Sequence, residues 1–152
     1  MKANPQLQNF IEPYSEEIKH LTIWLREFIT SLVPETNELI WDNYNAVAIA
    51  YSKSEKLKDA FCHIALYSKH LNFGFNRGSE LTSSKIKLEG KGKLIRHLKV
   101  SSNEDFPIDE IKKMILEAVM VSEKRNPNLL NFNNHPKSIV MSISEKKIRP
   151  KK

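Results

Sequence analysis

The chain is poor in cysteine and glycine and has no long apolar run. One cysteine in 152 residues, Cys62, excludes an internal disulfide and suits a reducing compartment. No apolar stretch approaches the length that crosses a bilayer. Residues 1–5 lack the apolar core of a secretory signal, and a cytoplasmic protein is expected. Several catalytic and cofactor patterns are missing as well. Gly74 and Gly78 stand too close for a P-loop, no Ser or Thr follows a Gly-Lys pair, and there is no dinucleotide fingerprint. No nucleophile elbow, Ser-His-Asp order or paired-carboxylate motif occurs, so no enzymatic activity is expected. The five histidines show no metal-ligand spacing. Cys62 and His63, adjacent on an expected strand, point to opposite faces and cannot chelate together.

What is present suits a globular domain with one core: 40% apolar and 28% charged residues. The net charge of +6 is unevenly placed. Residues 126–152 carry Lys137, Lys146, Lys147, Arg149, Lys151 and Lys152 against Glu145 alone, so +5 of it lies there. The high pI is therefore weak grounds for nucleic-acid binding by the body of the protein. A role as a nucleic-acid accessory protein through the tail is the least favoured reading.

The pattern predicts a helix over residues 15–33. Ile18, Leu21, Leu25, Phe28, Ile29 and Leu32 follow the helical period, Ser15 serves as N-cap, and Glu16 and Glu17 favour the dipole. Short strands are expected at 38–42, 46–51, 60–67, 71–75 and 94–100, with tight connections that imply antiparallel pairing. A second helix should run to about residue 124, entered through Asp105 and Pro107, with Ile108, Ile111, Ile115, Ala118, Val119 and Ser122 as its stripe. The expected fold is α+β: an antiparallel sheet of about five strands with two long helices on one face. Residues 1–125 form the domain. Residues 126–152 are a basic extension that either docks one strand at 138–143 or stays partly disordered.

All four glycines fall in one basic stretch, Gly74 to Gly92, among Arg77, Lys85, Lys87, Lys91, Lys93, Arg96 and Lys99. The segment 89–93 suits an anion-binding nest built on Gly90 and Gly92, with Lys91, Lys93 or Arg96 adding charge. Its plainer alternative is a turn with solvated lysines. Arg96 shares a strand face with Leu94 and Leu98, which calls for an ion pair with Glu80 or Glu89, or for a bound anion. His63 and His97 are placed to face each other on the open side of the sheet, near Trp41 or Tyr44, as a small aromatic and imidazole pocket. The alternative is that they are ordinary sheet-surface residues. Cys62 alternates with Ile64 and Leu66 and reads as a core thiol.

One ordered series of motifs spans roughly residues 15–122. It comprises Leu32-Val33-Pro34-Glu35, Trp41-x-x-Tyr44, His70-Leu71-Asn72-Phe73-Gly74-Phe75-x-Arg77-Gly78-x-Glu80-Leu81, Leu88-Glu89-Gly90-x-Gly92-Lys93 and Arg96-His97-Leu98-Lys99-Val100. This series resembles the YdhG-like family of small bacterial proteins, a domain family of unknown function. The chain departs from the family's usual turn, where a Gly-Met-Pro-like sequence follows the tryptophan; here Asp42-Asn43 precedes Tyr44. The resemblance implies a compact α+β domain. Because one member is a frataxin-like intracellular iron chaperone, it also implies iron as a ligand and iron–sulfur or haem assembly proteins as partners. Iron at a loose site prefers oxygen ligands, which makes Glu16 and Glu17 the metal candidates. An alternative without iron is an anion- or small-metabolite-binding domain using Arg77, Arg96, His97 and the loop 90–92.

Overall fold

A computed structural model describes residues 1–83, 85–131 and 135–150. Lys151 and Lys152 of the basic tail lie outside the described residues. Helix α1, Pro5–Ile11, opens the chain: Asn4 accepts from the Gln6 and Leu7 amides, and Pro5 takes the first helical position. The sequence reading had no helix here, because seven residues are too few to display a period. Helix α2 is Glu16–Leu32, capped by the Ser15 hydroxyl as expected. It buries Ile18, Leu21, Leu25 and Ile29 against the sheet. Each such side chain stabilises by about 1.5–3 kcal/mol.

The sheet holds strands β1 (Asn37–Asp42), β2 (Val47–Ser52), β3 (Ala60–Leu66), β4 (Leu71–Phe75), β5 (Arg96–Val100) and β6 (Ser138–Ile143). Their spatial order is β5-β4-β3-β2-β1-β6. Four neighbouring pairs are antiparallel, as expected. The sixth strand is not: β6 lies parallel to β1 at the far edge, so the sheet is mixed rather than all-antiparallel. Parallel pairing follows from the long path through helix α3, Ile108–Arg125, which returns the chain to the edge in the direction of β1. Helix α3 starts later than expected. Pro107 stands at its N-cap position, and Asp105 accepts from the Ser102 hydroxyl instead of capping. Met114 joins its buried stripe, and Ile108, at the helix end, is exposed.

Period-two alternation divides the sheet. One face carries Ile40, Ile49, Tyr51, Cys62, Ile64, Leu66, Leu71, Phe73 and Phe75 into the main core with α2 and α3. Cys62 is fully buried there, as expected, and burial pushes its thiol pKa up.

A buried polar knot ties the far edge together. Glu38, 0% exposed, accepts from Arg26 Nε at 2.7 Å, the Tyr51 hydroxyl at 2.9 Å and the Ser138 hydroxyl at 2.6 Å. Arg26 also donates to the Lys2 carbonyl, and Asn4 donates to the Ser138 hydroxyl. One carboxylate thus joins α2, β1, β2 and β6. At the other end of β1, the buried Asp42 receives Lys147 and Arg149, which lays the C-terminal segment along the β1–β2 turn. With Lys137 against Glu55 at 3.6 Å, three of the tail's basic groups are paired within the fold.

Candidate basic cleft

Residues 76–83 and 85–95 lie against the core and β5 through Leu81, Ile86, Leu88 and Glu89, and their anchors are specific. Gly90 has φ 147°, and a Cβ there would lie 2.5 Å from the Ile95 carbonyl oxygen. Glu89 and His97 exchange both backbone hydrogen bonds at 2.8 Å. Arg96 makes neither expected ion pair: its Nη1 donates to the Gly92 and Ile95 carbonyls at 2.7 Å, closing the turn. Arg77 takes Glu80 instead, through Nε and Nη2 at 2.6–3.0 Å. That pairing lowers the Glu80 pKa. The Ser79 hydroxyl donates to the Lys93 carbonyl, and Glu117 of α3 grips Thr82 and Ser83.

This anchoring leaves a cleft of about 510 Å³ between the segment, the 3-10 turn Leu57–Asp59 and the end of α3. Leu57, Lys58, Asn76, Arg77, Gly92, Lys93, Leu94, Ile95 and Arg125 line it: four cations and no carboxylate. Arg125 is held by a hydrogen bond from Nη1 to the Lys58 carbonyl at 3.3 Å. Lys58 and Arg125 also line an adjoining cleft of about 460 Å³ with Ser54, Lys56, Asp59, Asn126 and Asn128. Glu80 neutralises Arg77 from outside the lining, so Lys58, Lys93 and Arg125 are the cations that leave a positive potential attracting small anions.

The structure thus brings Arg77, Gly92 and Lys93 to one cleft. Gly90 and Arg96 shape its wall through the turn they close. Lys58 and Arg125 escaped the sequence reading, since nothing in spacing links them to the loop. A basic residue ending a helix, as Arg125 does, also reads as ordinary complement to the dipole.

The histidines share the open face. Strand register sets His63, Gly74 and His97 in one row. A Cβ at Gly74 would lie 2.3 Å from His63 Nε2, so the glycine is the space that lets the imidazole lie flat on the sheet. His63 Nδ1 meets Asn76 Oδ1 at 2.9 Å, and burial lowers the His63 pKa, partly opposed by that bond and reinforced by His97. His97 Nε2 stands 3.7 Å from Glu89. Trp41 is on this face two strands away, packed with Leu39, Ala50, Ala60 and Ile139. Tyr44 sits exposed in the β1–β2 turn, where its carbonyl accepts from Ile148.

The acidic pair separates. Glu16 binds Lys19 at 2.8 Å, whereas Glu17 lines another cleft, of about 390 Å³, with His20, Trp24, Ser101, Ser102 and Asn103. Among the described residues no group of three or more His, Cys, Asp or Glu side chains is arranged to hold a metal ion.

Compared with protein-family models, curated proteins and solved structures, the chain matches none. No helix among the described residues is long and apolar enough to cross a membrane.

Proposed function

We propose that the protein is a binding domain for a small anionic ligand seated in the cleft of Lys58, Arg77, Lys93 and Arg125. The observation that carries this reading is a cleft lined by four cations and no carboxylate, three of which, Lys58, Lys93 and Arg125, are outside any ion pair among the described residues. The cleft's size falls within the ordinary range for small-molecule sites. Lys58 and Lys93 have no ion-pair partner among the described residues, and Arg125 spends one Nη1 hydrogen bond on the Lys58 carbonyl and keeps its other donors, so a phosphate or carboxylate would meet free N–H groups. Titration with inorganic phosphate, followed by amide NMR shifts, tests it. Shifts should saturate at Gly92, Lys93 and Arg125, and a Lys58→Glu/Arg125→Glu variant should lose them. Saturation elsewhere, or persistence in that variant, contradicts the reading.

A second reading is the iron-handling role implied by the resemblance to the YdhG-like family, with iron–sulfur or haem assembly proteins as partners. Its supporting observation is that Glu17 and His20 face one cleft. Anaerobic titration with ferrous iron should then give saturable binding that Glu17→Gln weakens at least about tenfold. Equal affinity in that variant removes this version.

A further inference from the structure

We infer that the anion carries an apolar body, which lies on Leu57, Leu94 and Ile95 while its charged group rests between Lys58 and Arg125. This rests on the anion-binding reading above. Two directions are open to a ligand whose charge sits at the shared cations, because Lys58 and Arg125 border both clefts.

The polar direction is engaged in part. Asn126 Nδ2 donates to Asp59 Oδ1 and the Ser54 hydroxyl to Asp59 Oδ2, so these two groups are partly engaged inside the protein, while Lys56 and Asn128 complete that lining. The Asp59 carboxylate there also opposes a second anionic group.

The other direction is unsatisfied in the opposite sense. Leu57 is 51% exposed and Ile95 50% exposed, large aliphatic side chains left in water on the two segments that bound the cleft. Apolar surface collected inside a rim of charge is the signature of a site whose ligand supplies the missing contact. Asn76 is in the same lining, but its Oδ1 is committed to His63, which leaves its amide as the polar group there. The ligand class that these aliphatic side chains favour is an amphiphilic phosphate or carboxylate; a sugar phosphate would turn instead to Lys56 and Asn128 of the adjoining cleft.

Calorimetric titration of the full chain with phenyl phosphate and with glycerol 3-phosphate separates these cases, since the two share the anion and differ in the body. Phenyl phosphate should bind at least about tenfold more tightly, the scale expected for covering two aliphatic side chains. Leu57→Ser and Ile95→Ser, both at surface positions, should erase that difference. Lys58→Glu should weaken both ligands. Equal binding of the two, or tighter binding of glycerol 3-phosphate, with Lys58→Glu still weakening both, overturns the apolar body and leaves the anion site standing. Binding that Lys58→Glu does not affect overturns the anion site and this inference with it.

Discussion

Replacing Glu38 by glutamine keeps the side-chain volume and removes one charge from a fully enclosed place. Arg26, 6% exposed, would stay a cation facing only neutral acceptors, the Lys2 carbonyl and the amide. Arg26 and the Tyr51 hydroxyl share one carboxylate oxygen and the Ser138 hydroxyl takes the other, so the single amide oxygen would serve one side while the NH2 group faced the other. Breaking a buried pair by altering one partner costs about 3–5 kcal/mol. The retained oxygen places Glu38→Gln at about 3 kcal/mol, near the lower end of that range. For a domain of this size that corresponds to a melting point lower by roughly 6–12 °C. Urea unfolding of the variant against the parent measures it. Because Ser138 hangs on this carboxylate, amide exchange in β6 should accelerate more than in β3. Replacing the knot by apolar groups, Arg26→Met with Glu38→Leu and Tyr51→Phe, should recover most of the loss, since no polar group is then stranded. A Glu38→Gln variant within about 1 kcal/mol of the parent would refute the claim that this carboxylate is what holds the far edge.

Other outcomes follow from single contacts. Gly74→Ala should cost about 1–3 kcal/mol by driving a methyl into the His63 ring, and His63→Ala in the same chain should restore most of it. No rescue would mean that the backbone, not the imidazole, sets the limit. Glu117 gives a pH-dependent step. Burial alone would raise its pKa, but hydrogen bonds from Thr82 and Ser83 outweigh that and hold it down from 4.5 to about 2. With the folded value depressed, the stabilisation is complete above 4.5 and is lost as the pH falls through about 2. The Thr82 and Ser83 amide shifts should therefore move with a midpoint near 2, a step that Glu117→Gln lacks; a midpoint at 4.5 contradicts the clamp. Asp42→Asn should loosen residues 146–149 selectively, read as proteolytic cutting in the tail while the core remains intact. Uniform destabilisation would instead make Asp42 part of the core's own stability.

The sequence by itself determined what is local. Ser15 ahead of a helical stripe named α2, and the alternation in 60–66 fixed Cys62 inward and His63 outward, because caps and periods are read within a few residues of chain. It also placed His63 and His97 on one face, and it marked the loop of Arg77, Gly92 and Lys93 by charge and glycine. Tertiary structure decided the rest. That β6 pairs with β1, and in parallel, was set by the return of the chain through α3, and it joins Glu38 to Ser138 a hundred positions away, a contact with no trace in local composition. That Arg96 binds carbonyls while Arg77 takes Glu80 was settled by how the loop closes around Gly90. The cleft itself exists only because Lys58 from a short turn and Arg125 from the end of a helix arrive beside that loop. A site made of groups from three distant segments has no spacing to read: it is defined by packing, and packing is a property of the folded chain.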